Sequence, residues 1–209
     1  MRIGIIGAGM IGSTLGRLWV KAGHRVIFSS RHPDNLQPLT DSLGVRAWAG
    51  SPKEAATFGE VALLAVPLAA IPDLARDLSR FLAGKVVLDP TNAYAKRDGD
   101  LAREATAHGR GSAGWAAEKF PGSRWVKAFN TVYFQVLETE AHRSGQRIGI
   151  PLAGDDAEAL DIASRLVRDA GFEPVIAGPL SRGRDFEPQT RAYNTGMSGP
   201  DMRKALAVP

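Results

Sequence analysis

The feature that most constrains this chain is its first turn, residues 2–13, RIGIIGAGMIGS. Residues Arg2 to Ile6 are too few for a helix and rich in β-branched side chains, so they read as a buried strand. Gly7, Gly9 and Gly12 follow at G-x-G-x-x-G spacing, and Ile11, Leu15, Leu18 and Trp19 then recur at helical intervals. Each glycine has a separate job. Gly7 permits the tight turn out of the strand. Gly9 lets a pyrophosphate approach backbone that carries no β-carbon. Gly12 lets helix and strand pack closely. The free N–H groups of Met10, Ile11 and Gly12 face the phosphates, aided by the helix dipole. Strand, glycine turn and helix in that order predict a dinucleotide-binding half of Rossmann type, with a plain structural turn as the alternative.

The end of the second strand bears on which dinucleotide. The first helix stops at Ala22-Gly23, and His24 to Phe28 form the next strand. A carboxylate about 20 residues beyond the glycines would hold an unmodified ribose. This chain has Ser29, Ser30 and Arg31 there. Two hydroxyls and a guanidinium suit a 2′-phosphate, so the reading is NADP; a solvated loop leading into Pro33 and Asp34 is the alternative.

The rest of the chain continues the alternation of strands and helices. A helix over 35–43 leads to a short strand at 45–48. Ser51, Pro52 and Glu54 spell a capped helix start. Residues 60–66 are a continuously apolar strand ending at Pro67, which places Ala65, Val66 and Pro67 where open α/β sheets bind ligands. Asp89 to Asn92 form the exit of the fifth strand. Thr91 and Asn92 there could bond ribose or carboxamide, or close an Asx turn on themselves. Residues 93–111 are the least regular, with a short polar helix between Lys96 to Gly99 and Gly109 to Gly111, and read as either a lid or a surface insertion. A sixth strand over 124–128 leaves through Phe129, Asn130 and Thr131. Two more strands, 147–153 and 172–176, flank a helix over 157–170. The expected fold is α/β: a doubly wound, mostly parallel Rossmann-type sheet over 1–128 and a small α/β appendage over 129–209.

Composition excludes other chemistry. With 209 residues the chain can bury roughly 70% of its unfolded surface as one domain plus a small addition. It has no cysteine, hence no disulfide, thiolate metal site or cysteine nucleophile. The net charge of +4 is spread along the chain without a basic block, so neither nucleic acid nor a membrane is an expected partner. Residues 1–15 already belong to the fold, and a cytoplasmic protein is expected. The four histidines stand apart, without metal-ligand spacing, and read as surface or loop residues. No nucleophile elbow and no Ser-x-x-x-Lys or Tyr-x-x-x-Lys pair is present. The absence of a paired acid–base system suits direct hydride transfer between two bound redox cofactors, with no catalytic side chain.

Seven segments carry a resemblance over nearly the whole chain: residues 4–12, Ser29 to Arg31, Ala65 to Pro67, Asp89 to Asn92, Val126 to Thr131, Ala153 to Asp156 and Ala177 to Leu180. In these the chain resembles the NADPH-dependent coenzyme F420 reductases and their relatives, among them the cytosolic domain of ferric-reducing membrane proteins. The resemblance implies that Gly7, Gly9, Met10, Ile11, Gly12, Ser29, Ser30, Arg31, Val66 and Pro67 hold NADP. It places Ala128, Asn130 and Thr131 beside the nicotinamide and a deazaflavin pocket, and implies a homodimer. The second redox cofactor is left open between coenzyme F420, a flavin and other acceptors. Arg182 and Arg184 are expected to bind an anionic cofactor tail if they face the crevice. Two other classes stay open: an NADPH-dependent dehydrogenase of small hydroxy acids or imines, and a non-catalytic NADP sensor.

Overall fold

A computed structural model describes residues 1–209. The strands are β1 (Arg2–Ile6), β2 (Arg25–Ser29), β3 (Ala47–Gly50), β4 (Val61–Leu64), β5 (Val86–Asp89), β6 (Arg124–Lys127), β7 (Gly149–Gly154) and β8 (Glu173–Gly178). The helices are α1 (Met10–Lys21), α2 (Gln37–Leu43), α3 (Pro52–Phe58), α4 (Ile71–Leu82), α5 (Ala95–Ala107), α6 (Gly111–Glu118), α7 (Phe134–Thr139), α8 (Ala157–Asp169) and α9 (Gly199–Leu206). The strands form one sheet in the order 3-2-1-4-5-6-7-8. Strands β1 to β6 are parallel, β7 runs antiparallel to β6, and β8 is parallel to β7.

The order reverses between β1 and β4. The chain leaves β1 toward one side of the sheet and β4 toward the other, and a crevice opens at their carboxyl ends. Alternation along the strands divides the core. Ile3, Ile5, Phe28, Leu63 and Leu88 face α1, α7 and α8, whereas Ile6, Ala62, Leu64 and Val87 face α3, α4 and α6. A smaller cluster packs α9 and the 180–186 turn over β7 and β8.

The sheet does not stop at the expected boundary after residue 128. Strands β7 and β8 extend it, and the core of its first face runs through both parts. Within that core the buried Trp19 of α1 donates its Nε1–H to the Leu166 carbonyl of α8 at 2.8 Å.

Three local expectations change. The third strand starts later, at Ala47, because Gly44 turns the chain at φ 73° and leaves Val45 exposed. The short polar helix within 93–111 begins earlier, at Ala95, and runs to Ala107 with a break at Gly99, Ala102 and Ala105 burying one face. His24 is buried, with Nε2 3.0 Å from Asp169. The Ser51–Glu54 capping box forms as read, Ser51 accepting from the Glu54 N–H and Glu54 from the Ser51 N–H. Ser198 likewise caps α9.

Candidate functional site

The glycine turn crosses from β1 to α1 under tight steric limits. Gly7 has φ 96°, and a β-carbon there would lie 2.4 Å from the Ala65 carbonyl oxygen. A β-carbon on Gly12 would lie 2.2 Å from the Gly7 carbonyl oxygen. Gly9 differs: nothing stands within 4 Å of the β-carbon position, so its missing side chain opens toward solvent. Gly9 is also the N-cap of α1, with no side-chain cap and no acid in the first turn. The N–H groups of Met10, Ile11 and Gly12 find no acceptor in the chain. An uncapped helix start leaves these N–H groups free to meet an anion.

Beside this turn lies a cavity of about 350 Å³. Gly9, Met10 and Ile11 line it from the β1 exit, and Ala65, Val66 and Pro67 from the β4 exit. Thr91, Asn92, Tyr94 and Arg97 follow β5; Phe129, Asn130 and Tyr133 follow β6; Tyr193 and Asn194 come from the tail. Gly7 and Gly12 do not line it; they shape the turn from behind.

Other expected residues sit differently. Ser29 is fully buried, and its hydroxyl donates to the Ile5 carbonyl at 2.7 Å. It is the last residue of β2, its side chain is committed within the sheet, and it is not free to meet a phosphate. Ser30 and Arg31 lie beyond the strand. Ser30 Oγ accepts from the His32 N–H at 3.1 Å, and Arg31 is exposed with no ion pair. Ala128 is fully buried in the core and does not reach the cavity. Arg182 bonds Asp185 and the Leu206 carbonyl, while Arg184 holds the His108 and Gly109 carbonyls. Both bind backbone away from the cavity.

The floor is knit by two asparagines. Asn130 Nδ2 donates to Asn92 Oδ1 at 3.1 Å and to the Phe186 carbonyl at 2.9 Å, and Asn92 Nδ2 donates to the Asn130 carbonyl at 2.9 Å. The Asx turn at this exit belongs to Asp89, which accepts the Thr91 N–H at 2.8 Å. Lys127 Nζ reaches Asp89 from β6 and also donates to the Thr91 carbonyl. Phe129, at φ 62°, takes the left-handed conformation that bulky residues rarely adopt, where the chain turns from β6 into the cavity wall. Thr91 Oγ1, Asn130 Oδ1 and Thr131 Oγ1 are buried with no partner, all at the exits of β5 and β6. Leaving such an atom unpaired costs about 1–3 kcal/mol.

The tyrosines were not anticipated. The chain has three, and all of them line this cavity. The Tyr94 and Tyr193 hydroxyls touch, Asn92 Nδ2 lies 3.4 Å from the Tyr94 oxygen, and the Arg97 guanidinium lies 4.8 Å from the Tyr94 ring centre. Burial, then the bond to Tyr94, hold the Tyr193 phenol above its ordinary range. Burial alone would raise the Asp98 carboxyl, but hydrogen bonds from Arg97 and from the Tyr94 and Ala69 N–H groups bring it below its usual value. A sequence cue existed in the scarcity of the residue type, but only the fold joins positions 94 and 193.

No helix is long and apolar enough to cross a membrane. The family described as "NADP oxidoreductase coenzyme F420-dependent" matches residues 2–93. The chain is 31% identical over 186 residues to the metalloreductase STEAP3 of Rattus norvegicus, covering 89% of this chain and 36% of the rat protein. It therefore spans about a third of that relative's length. The crystal structure of the protein SMa0349 from Sinorhizobium meliloti is similar at TM-score 0.82 and 28% identity, over 95% of each chain. A candidate F420-dependent NADP-reductase from Arthrobacter sp. fb24 shares the fold at TM-score 0.75 and 20% identity, over 87% of this chain and 86% of that one. The glycine turn and the switch-point crevice lie within or beside residues 2–93, the part of the chain that matches the coenzyme F420-dependent NADP oxidoreductase family.

Proposed function

We propose that the protein passes a hydride between NADP(H) and an organic ring acceptor of the deazaflavin or flavin kind. The observation that carries this is the uncapped start of α1 at Gly9, which opens beside the cavity at the sheet's switch point. In this reading the Met10, Ile11 and Gly12 N–H groups bind the pyrophosphate, and Ser30 and Arg31 take the 2′-phosphate. The apolar backbone of Ala65, Val66 and Pro67 lies along the ribose and nicotinamide. The orphaned Thr91 and Asn130 oxygens supply polar partners near the carboxamide end. NADPH supplies the hydride; the protein stacks donor on acceptor and keeps water away from them. The name of the rat relative makes a chelated metal ion the rival acceptor.

Fluorescence titration with NADPH and NADH, followed by absorbance assays with oxidised deazaflavin, FMN and ferric citrate, tests the proposal. Tighter NADPH binding and bleaching of the deazaflavin or FMN are expected. No response to millimolar NADPH, or tighter binding of NADH, overturns the cofactor assignment. Turnover of ferric citrate alone overturns the acceptor class.

A further inference from the structure

We infer that Tyr94 donates the proton that must accompany the hydride, with Tyr193 as its positioning partner. This rests on the ring-acceptor reading above. When a conjugated ring acceptor takes a hydride, at a ring carbon in a deazaflavin or a ring nitrogen in a flavin, two electrons and one proton arrive together, and a further ring nitrogen or oxygen is left with an electron pair that takes a second proton. That proton leaves Tyr94 as its O–H bond breaks and the new bond to the acceptor's heteroatom forms. The phenolate is then reprotonated from water. An acceptor reduced one electron at a time, such as a chelated metal ion, has no use for this donor.

The surroundings of the Tyr94 oxygen carry the argument. Asn92 Nδ2 lies 3.4 Å away and can only donate to it. The Tyr193 hydroxyl touches it and is the more buried of the two; burial and this contact hold the Tyr193 phenol above its ordinary range, so Tyr193 is assigned as the donor in the pair. The Arg97 cation lies against the ring at 4.8 Å. Arg97 is itself fixed, donating to the Asn92 carbonyl at 2.8 Å and to both Asp98 oxygens. The Asp98 side chain is fully buried and accepts the Tyr94 and Ala69 N–H groups. The Tyr94 oxygen is thus met by the Asn92 amide and the Tyr193 hydroxyl, and no acceptor other than Tyr193 competes for its proton. Tyr94 also lines the cavity, and a merely structural tyrosine there would need none of this.

Tyr94→Phe and Tyr193→Phe test the assignment. With oxidised deazaflavin and with FMN, Tyr94→Phe should lower kcat roughly 100-fold, as loss of a general acid does. The solvent deuterium isotope effect on kcat should disappear, and the dissociation constant for NADPH should stay within about twofold. Tyr193→Phe should cost roughly tenfold and keep the isotope effect. Without any cofactor, titration of the tyrosines at 295 nm should show the highest ionisation moving down in Tyr94→Phe, because Tyr193 loses its partner. Wild-type kcat in Tyr94→Phe, a slower enzyme with an unchanged isotope effect, or an unchanged tyrosine titration each overturns the proton role. Failure of the wild type to bind NADPH is a different result and removes the underlying reading as well.

Discussion

Lys127 Nζ and Asp89 Oδ2 face each other 3.3 Å apart, with neither side chain exposed, where β5 and β6 leave the sheet. Asp89 also accepts from Trp125 Nε1 at 3.2 Å. The pair fixes the turn that presents Thr91 and Asn92 to the cavity. Replacing one partner strands the other charge in a dry interior. Lys127→Met should therefore destabilise the protein by about 3–5 kcal/mol, read by urea denaturation. The double change Lys127→Met with Asp89→Leu should recover much of that loss; a single variant as stable as wild type contradicts the picture.

Arg31 stands exposed just past β2 with no partner of its own. Arg31→Ala should leave thermal stability unchanged and weaken NADPH by about 2 kcal/mol, roughly thirtyfold in KM. The effect on NADH should be small. Equal effects on the two nucleotides would mean that the guanidinium does not read the 2′-phosphate.

Two glycines separate architecture from binding. A β-carbon at Gly9 meets nothing within 4 Å, whereas one at Gly12 meets the Gly7 oxygen at 2.2 Å. Gly9→Ala should keep the melting temperature or raise it by about 1–3 °C, since its φ of −74° suits alanine. It should still weaken NADPH roughly tenfold, or about 1.4 kcal/mol. Gly12→Ala should lower stability by about 1–3 kcal/mol as well as binding. Differential scanning calorimetry and NADPH titration on the same samples check both.

Asp156 caps α8 and is gripped by Arg124 at 2.7 Å. The Arg124 hydrogen bonds first, and the Ala159 N–H second, pull its carboxyl from the ordinary 3.8 down to about 2. A carboxylate depressed in the folded state stabilises fully above its unfolded value, and the contribution fades as pH falls through the folded one. Asp156→Asn keeps a good cap but loses the ion pair. The variant should melt below wild type at pH 7, and the gap should close between about pH 4 and pH 2. Circular dichroism melts across that range check it; a constant gap would show that the titration plays no part.

Much of the fold was legible because its signals are local. The β1 glycine turn and the Ser51 capping box are written within a few residues each, and they form where the spacing puts them. The site was legible only where strand ends alone define it, as at Gly9 and at Ala65 to Pro67. Ser29 misleads because a hydroxyl at a strand end can bond outward or, as here, back to the neighbouring strand. Ala128 misleads because the cavity wall begins one residue later, at Phe129. Arg182 and Arg184 advertise charge but are used to hold backbone carbonyls. The Tyr94–Tyr193 contact spans 99 positions, and no window of sequence contains both.

Trp19 belongs to the helix whose start faces the cavity, yet its one polar hydrogen goes to Leu166. It also meets Phe129 edge-on, with ring centres 5.9 Å apart. The helix that follows the glycine turn is thus buttressed from the carboxy-terminal third of the chain. A polypeptide shortened after Ala128 would leave that indole without its acceptor and the β6 flank bare. The amino-terminal half, though it carries the whole glycine signature, should not survive as an autonomous nucleotide-binding fragment.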